Sequence, residues 1–363
     1  MAKNKHEGGA ADLKDYFVSL SPGKLTGLRS ITDSEGRFRV LAMDQSNSFK
    51  KALRAMHERQ GAPAEPSYEE IRDCKIEMAR VLSVHGSALL LDVNFGARQA
   101  LNSLAYPKQV GLIVRVEASK DAGIPGAYEP GWGVEKIKKM GAAAVKLLVY
   151  MDTSDKANVK AQLAFVQKVS KACRESDILL MTEELSFPRK GEDKASPDYQ
   201  ARKVKNILES TALLGPYTDI LKLEFPGDIK ADSEQQMAES LGRLDEAAIR
   251  PWVLLSAGEK FDLFVRQAEL AMKAGCSGYM AGRAIFNEYF EQGTPAARAQ
   301  FLAGTACERM RRLNSAVEGH ARSWMARYGI SVADLAGAVD SQWYSGAAGN
   351  KTSSKATAVT GAY

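Results

Sequence analysis

Two lysines lie in segments that otherwise have the composition of buried β-strands, Lys146 within residues 142–150 and Lys222 within residues 219–225. An ammonium group is rarely buried without a partner. Desolvation disfavours the charged form of a lysine, and a second cation nearby lowers its pKa further, which is one route to an amine nucleophile near neutral pH. The pair therefore indicates Schiff-base chemistry on a carbonyl substrate.

Carboxylates occur at the ends of neighbouring apolar segments and are candidates for acid–base chemistry. Glu183 and Glu184 end the segment that begins at Ile178, and the sequence does not reveal which of the two faces inward. Asp44 ends the first apolar segment, where it either serves the reaction or caps the next helix. Lys222 and Glu224 are two positions apart, so a plain ion pair between them is the structural alternative to catalysis. Lys146 likewise has the alternative of pairing with a barrel carboxylate.

Two glycine-bearing turns follow the last two apolar segments. Ser256-Ala257-Gly258 and Gly282-Arg283 can direct backbone N–H groups at a phosphate, and Arg283 adds a positive charge. Simple tight turns remain the alternative. As a pair, the turns predict a phosphate-binding site.

Eight short apolar segments alternate with amphipathic stretches along the chain. Their near-continuous Val, Ile and Leu content is typical of parallel strands covered on both faces. The predicted strands are Phe38–Asp44, Ser87–Val93, Gly111–Val116, Ala142–Tyr150, Ile178–Glu184, Asp219–Phe225, Pro251–Ser256 and Cys276–Ala281. The predicted helices are Tyr68–Val84, Asn158–Ala172, Ser233–Leu244 and Phe261–Ala274, and Phe286–Gln292 is predicted to start a helical C-terminal region. This alternation predicts an α/β fold, a (β/α)8 TIM barrel. The alternative, an open doubly wound sheet, lacks a Gly-x-Gly-x-x-Gly sequence after the first strand.

The chain divides into three predicted regions. Residues 1–37 form an N-terminal leader with one helical piece around Asp12–Leu20, and residues 38–344 form the barrel with C-terminal helices. Residues 345–363 are rich in Gly, Ala, Ser and Thr, which predicts a flexible, disordered tail.

Composition excludes several classes of function. A net charge of +5 without a basic stripe that is interleaved with aromatic residues argues against nucleic-acid binding. The chain contains no apolar run of 18 or more residues and its first residues are polar, so we expect neither a membrane span nor a signal peptide. Four well-separated cysteines fit reduced thiols in the cytoplasm. Only four histidines are present, and none falls at a predicted strand end, so we expect neither a metal nor a cofactor. The composition neither predicts nor excludes a homo-oligomer.

Several segments together resemble the class I tagatose-1,6-bisphosphate aldolase family, which includes sulfofructosephosphate aldolases. The lysine strands and the glycine turns carry the likeness, which runs from about residue 21 to about residue 295. The matching segments are Ser21–Leu25 with Gly27-Leu28, Leu41–Gln45, Ala144–Leu148, Glu183, Ile220–Pro226, Leu255–Gly258 and Gly282–Ala284.

The resemblance implies a TIM barrel that cleaves a ketose phosphate by retro-aldol chemistry. Lys222 would form the Schiff base, Lys146 would be the second cation, and Glu183 would be the acid/base. Asp44 and Gln45 would orient substrate hydroxyls and the carbinolamine. The phosphate on the ketone-bearing end would be held by Ser256, Gly258, Gly282 and Arg283.

The resemblance also has one departure, which concerns the substrate. Family members usually follow Asp-Gln with Arg, whereas Ser46 stands here. We therefore expect the distal group to be held by other cations, such as Lys50, Arg98, Arg189 or Lys190, or to lack charge. A tagatose-1,6-bisphosphate-like sugar is the leading substrate. The alternatives are a sulfofructosephosphate, another Schiff-base lyase or transaldolase reaction, and a non-catalytic phosphosugar-binding protein.

Overall fold

Eight parallel strands close into a barrel in the computed structural model, which describes residues 7–61 and 64–344. Each strand pairs with the next in chain order, and β8 pairs with β1. The strands are β1 (Phe38–Met43), β2 (Ala88–Leu91), β3 (Gly111–Arg115), β4 (Ala144–Tyr150), β5 (Leu179–Leu185), β6 (Ile220–Leu223), β7 (Trp252–Leu255) and β8 (Gly278–Ala281). The predicted (β/α)8 barrel is confirmed.

Helices cover the outside of the barrel and its N-terminal end. They are α1 (Glu7–Val18), α2 (Pro22–Ile31), α3 (Asn47–Arg59), α4 (Tyr68–Leu82), α5 (Ala97–Asn102), α6 (Val134–Lys139), α7 (Lys156–Glu175), α8 (Pro197–Leu214), α9 (Glu234–Ala247), α10 (Phe261–Ala274), α11 (Arg283–Phe286), α12 (Pro295–Phe301), α13 (Cys307–His320), α14 (Trp324–Arg327) and α15 (Val332–Gly337). The segment 286–292, predicted to start a helical C-terminal region, is the end of α11 followed by a 3₁₀ helix, Asn287–Glu291, and α12 and α13 come after it. Among the described helices, none is long and apolar enough to cross a membrane.

The N-terminal leader contains two helices, so the prediction of one helical piece was wrong. The second helix, α2, starts with Pro22, whose fixed φ suits the first turn of a helix. Two glycines let α2 approach the barrel closely: a Cβ on Gly23 would lie 2.4 Å from the Asp177 carbonyl oxygen, and one on Gly27 would lie 2.6 Å from that of Ala143. The predicted disordered tail, residues 345–363, lies outside the described residues.

The core has two layers. One layer fills the barrel interior and continues into the apolar side chains of α1, α2 and α14 that close its N-terminal end, including Phe17, Leu28 and Trp324. The other layer packs the outward faces of the strands against the surrounding helices. Because side chains alternate along a strand, every second residue belongs to the interior layer. That alternation decides which polar residues reach the barrel interior at the opposite end.

Asp219, at the start of β6, holds the leader helices against the barrel. It is 2% exposed, its two carboxylate oxygens lie 2.8 and 2.9 Å from Lys24 Nζ, and it accepts a hydrogen bond from the backbone N–H of Leu180 at 2.7 Å. The Tyr16 hydroxyl of α1 also donates to it. One buried carboxylate therefore joins α1, α2 and the β5–β6 edge.

We predict that Asp219→Ala lowers the free energy of unfolding by about 3 kcal/mol, because it leaves a largely buried ammonium and an N–H group without their partner. Chemical denaturation measures the change. The matched control is Glu135→Ala, which removes an exposed helical ion pair with Lys139 and should change nothing measurable. A loss in Asp219→Ala no larger than that of the control would contradict this role.

Candidate active site

A layer of charged side chains follows the apolar interior layer at the C-terminal ends of four consecutive strands. Each of these residues lies two positions after an interior apolar residue, so strand alternation directs it inward. The charged residues on β3 to β6 are Arg115, Lys146, Glu183 and Lys222, after Ile113, Ala144, Met181 and Ile220. The strand register places Glu183 directly opposite Lys222. The candidate site therefore lies at the end of the barrel where such folds carry their chemistry.

Lys146 is surrounded by three carboxylates. Its Nζ lies 2.8 Å from Asp44 Oδ2, 3.0 Å from Glu117 Oε1 and 2.8 Å from Glu183 Oε2, and the residue is 1% exposed. Burial by itself lowers the pKa of Lys146, but the three carboxylates outweigh it and raise the pKa well above its ordinary value. Lys146 is therefore a permanent ammonium at the centre of the site.

Glu183 connects the two lysines. Its Oε1 lies 2.9 Å from Lys222 Nζ, while its Oε2 contacts Lys146. Burial raises the pKa of Glu183, but the charges of Lys146 and Lys222 outweigh it and lower the pKa below its ordinary value. Glu183 is therefore an anion in direct contact with the amine that the sequence singled out.

Glu184 faces the opposite way, which resolves the choice that the sequence left open. Its Oε1 accepts hydrogen bonds from Asn206 of α8 and from the Ser186 hydroxyl, outside the barrel interior. Burial and the neighbouring charge of Glu224 raise the pKa of Glu184 to about 8. Of the two adjacent glutamates, only Glu183 contacts the lysines.

Lys222 and Glu224 do not form the ion pair that was the alternative reading. Strand β6 ends at Leu223, so the alternation of faces does not extend to Glu224. Its Oε2 accepts from the backbone N–H of Ser186 at 2.7 Å, and burial raises the pKa of its carboxyl. Among the described residues, the one ion pair of Lys222 is with Glu183.

Asp44 and Gln45 follow β1 and face the same cluster. Burial raises the pKa of Asp44, but Lys146 and Lys222 outweigh it and lower the pKa well below its ordinary value. The Gln45 amide donates to Asp44 Oδ1 at 3.3 Å, and its Oε1 is buried without a hydrogen-bond partner among the described residues. Asp44 lies in this cluster, in contact with Lys146, and does not cap α3, whose N-cap is Ser46.

The two glycine turns meet above β7 and β8. Gly258 has a φ of +84°, and a Cβ there would lie 3.1 Å from Arg283 Cζ. Gly282 passes close to β1, since a Cβ on it would lie 2.1 Å from the Ala42 carbonyl oxygen. Ser256 is buried beside them, and no hydrogen bond or ion pair joins the Arg283 guanidinium to another described residue. The turns thus place the Arg283 guanidinium, which has no ion-pair partner among the described residues, next to the Gly258 backbone, which carries no side chain.

Comparison with known proteins gives the family. The model of the DeoC/LacD family aldolases matches residues 38–288. The chain belongs to this family. It is 30% identical over 336 residues to tagatose 1,6-diphosphate aldolase 2 of Streptococcus agalactiae serotype III (strain NEM316), covering 85% of this chain and 99% of that relative. It is 28% identical over 334 residues to tagatose 1,6-diphosphate aldolase of Staphylococcus aureus (strain MSSA476), covering 85% of this chain and 100% of that relative.

Solved structures agree on the fold of this aldolase. A Schiff-base-forming fructose-1,6-bisphosphate aldolase superposes with a TM-score of 0.52 at 15% identity, over 81% of this chain and 99% of the other. An identity this low shows the fold alone. The family and its relatives confirm the predicted enzyme type, an aldolase and therefore a lyase.

Two charged residues of the candidate site, Glu117 and Arg115, were assigned no role from the sequence. Glu117 follows β3; burial raises its pKa, and its Oε2 has no hydrogen-bond partner among the described residues. Arg115 precedes it by two positions within an apolar run, a signal of the same kind as that of Lys146. The same reading of charged residues in buried strands could have found Arg115.

The structure also locates two of the cations considered for the distal group of a substrate. Arg189 is engaged by Asp152, with Nε 2.9 Å from Oδ2. Lys50 Nζ lies 5.1 Å from the centre of the Phe95 ring. In the described part of the chain, no group of three or more His, Cys, Asp or Glu side chains is arranged to hold a metal ion.

We predict that Lys146→Met destabilises the aldolase in a pH-dependent way. In the wild type, the depressed pKa values of Asp44 and Glu183 contribute stability that is present above the unfolded values of about 4 and is lost as the pH falls through the folded values. Without Lys146, burial of these carboxylates penalises folding increasingly as the pH rises above about 4.

The expected difference in the free energy of unfolding between wild type and Lys146→Met grows from pH 4 to pH 7, reaching about 3–5 kcal/mol. Denaturant titration at several pH values measures it. Lys138→Met is the control, because the Lys138 ammonium donates to the Asp177 backbone carbonyl and not to a carboxylate. A pH-independent difference for Lys146→Met would refute the electrostatic account.

Proposed function

We propose that this aldolase cleaves a ketose phosphate through an imine on Lys222. The leading substrate is a tagatose-1,6-bisphosphate-like sugar, and the products are dihydroxyacetone phosphate and an aldehyde such as glyceraldehyde 3-phosphate. One observation carries the assignment: Lys146 contacts three carboxylates, whereas Lys222 contacts Glu183 alone. Lys146 is therefore held as a cation, and Lys222 is the lysine whose proton has one nearby acceptor.

Imine formation begins with transfer of a proton from Lys222. Glu183 Oε1, at 2.9 Å from Nζ, is placed to accept it, and the free amine then adds to the substrate ketone. The resulting carbinolamine loses water after its hydroxyl is protonated, which returns the proton from Glu183. Asp44, with Gln45 beside it, orients the carbinolamine and the substrate hydroxyls.

Carbon–carbon cleavage uses the protonated imine as an electron sink. A carboxylate removes the proton from the C4 hydroxyl, the C3–C4 bond breaks, and the electron pair passes through C2 to the iminium nitrogen. Glu183 is the base for this step, because its Oε2 remains paired with Lys146 while its Oε1 is free to face the substrate. Protonation of the enamine at C3 and hydrolysis then release dihydroxyacetone phosphate.

The ketone-end phosphate binds at the paired turns. Arg283 supplies a cation that no other described residue neutralises, and the Gly258 backbone beside it carries no side chain to block approach. A guanidinium is suited to phosphate, since its planar fork can donate two parallel hydrogen bonds. Ser256 supplies a hydroxyl at the same position.

The distal group distinguishes the leading substrate from a sulfofructosephosphate. Ser46 contributes no charge at the end of β1, and Arg189 is already paired with Asp152. Assay of C6 ketose 1,6-bisphosphates against the corresponding 6-sulfonates, with identification of both products, decides the class of distal anion. Turnover of neither, with release of another three-carbon fragment, would assign a different Schiff-base reaction.

We predict that borohydride with dihydroxyacetone phosphate traps a covalent adduct on Lys222. Mass spectrometry of peptides maps the modified lysine. Lys222→Met should abolish the adduct and lower kcat by at least about 10³-fold, because it removes the nucleophile.

Lys24→Met serves as the matched control, since Lys24 is another largely buried lysine paired with a carboxylate, but at the opposite end of the barrel. It should retain the adduct at Lys222. An adduct on a different lysine, or none at saturating ligand, would overturn the assignment of Lys222.

We also predict that Gly258→Ala raises KM for phosphorylated ketoses by about 10-fold or more, because a Cβ displaces the Arg283 guanidinium. Steady-state kinetics measure the change. Gly141→Ala controls for backbone strain, since Gly141 has a φ of +87° and nothing lies within 4 Å of its added Cβ. Equal effects of the two substitutions on KM would argue against a phosphate site at Arg283.

A further inference from the structure

Three consecutive backbone carbonyls at the end of β1 are bound by two buried cations. Lys75 Nζ donates to the carbonyl oxygen of Met43 at 2.9 Å and to that of Gln45 at 3.1 Å. Arg115 Nη1 donates to the carbonyl oxygen of Asp44, between them, at 2.9 Å. The backbone that carries the Asp44 carboxylate is therefore fixed on both sides by charged donors.

Lys75 reaches this position from α4, outside the strands. The residue is 1% exposed, and its ammonium also pairs with the buried carboxylate of Asp92, just after β2. The second oxygen of Asp92 accepts from the backbone N–H of Phe95 at 2.8 Å. The Lys75 ammonium also lies 5.3 Å from the centre of the Phe49 ring. The Lys75 ammonium is thus held by two carbonyls, a carboxylate and an aromatic ring, all of them groups of the protein.

Arg115 approaches from the other side. It is 5% exposed, and its Nη2 lies 3.2 Å from Asn94 Oδ1 and 3.4 Å from Ser46 Oγ. No carboxylate forms an ion pair with Arg115 among the described residues, and its hydrogen-bond partners are a backbone carbonyl, an amide and a hydroxyl. A buried guanidinium with these partners constrains geometry more than it neutralises charge.

Stability alone does not account for this arrangement. A buried ion pair is often no more stabilising than well-packed apolar side chains of the same volume, because desolvation offsets the Coulomb attraction. Charged donors do, however, bind carbonyls more strongly and with shorter distances than neutral ones. The gain from Lys75 and Arg115 is therefore a fixed direction for the Asp44 side chain.

We propose that Lys75 and Arg115 are positioning residues that hold the Asp44 carboxylate in its reactive orientation toward Lys146 and the substrate. This inference rests on the role proposed above for Asp44. Neither residue touches the reacting atoms, and both act through the backbone of residues 43–45. A displacement of a catalytic group by about 1 Å can cost about 10²-fold in rate, which sets the expected effect.

The test is a kinetic double-mutant cycle between Lys75 and Asp44. Lys75→Met is combined with Asp92→Asn, so that no buried carboxylate is stranded and the amide oxygen can still accept from Phe95. This pair of changes should lower kcat by about 10²-fold with Asp44 present. In an Asp44→Asn background it should lower kcat by less than about 3-fold, because the group being positioned has already lost its charge.

Three further measurements complete the test. Borohydride trapping on Lys222 should persist in Lys75→Met/Asp92→Asn. Arg250→Met, which removes a buried cation that donates to the Thr218 carbonyl at 3.0 Å at the opposite end of the barrel, should lower stability without changing kcat. Arg115→Lys keeps a charge but cannot span both Asp44 and Asn94, and it repeats the cycle if the first variant fails to fold.

The outcomes separate this inference from the proposed function. Losses that are equal with and without the Asp44 carboxylate, or an unchanged kcat, would overturn the positioning role while the trapped adduct upholds the imine. Absence of the adduct in the wild type would instead overturn the imine mechanism, and the positioning role with it. A non-additive cycle with the adduct retained is the result that we expect.

Discussion

A single carboxylate shared by two buried ammonium groups is the interaction on which the candidate active site depends. Glu183 can stay ionised inside a barrel only because Lys146 and Lys222 each bind one of its oxygens. Lys146 in turn is tolerated because Asp44 and Glu117 complete its surroundings. Neither charge could be buried alone, since desolvation of an unpaired ion costs several kcal/mol. The cluster is therefore stable only as a unit, because each of its buried charges depends on the others for compensation.

The barrel supplies the geometry that this unit requires. The register of β5 and β6 sets Glu183 opposite Lys222, and the period of two along each strand stacks the charged layer directly on an apolar one. The leader helices close the opposite end of the barrel, where Asp219 fastens them. The charged cluster at one end of the barrel thus rests on an apolar interior layer, and the leader helices close the other end. This packing keeps the charged groups in fixed positions.

The sequence allowed the barrel to be predicted because strands buried on both faces are almost continuously apolar, and a lysine interrupting such a run stands out. The same reasoning could not choose between Glu183 and Glu184, because adjacent residues exchange faces with a one-residue change of register. It also overlooked Lys75, since a lysine on an amphipathic helix is ordinarily solvated. Only the fold shows that α4 turns this residue inward, to contacts with Met43, Gln45 and Asp92. The helix α2 was missed because Gly23 and Gly27, which disfavour helix, serve close packing there.

The asymmetry between the two lysines explains how one cluster can support every step of the proposed reaction. When Lys222 transfers its proton to Glu183, both groups become neutral together, while Lys146, whose pKa is raised well above the ordinary value, stays charged beside Glu183 Oε2. The carboxylate therefore never faces the substrate without a compensating charge. When the iminium forms, a positive charge returns to the position of the Lys222 nitrogen, and the original balance is restored. A constant cation on one oxygen and a changing one on the other allow Glu183 to accept and return protons without leaving an isolated charge in the barrel.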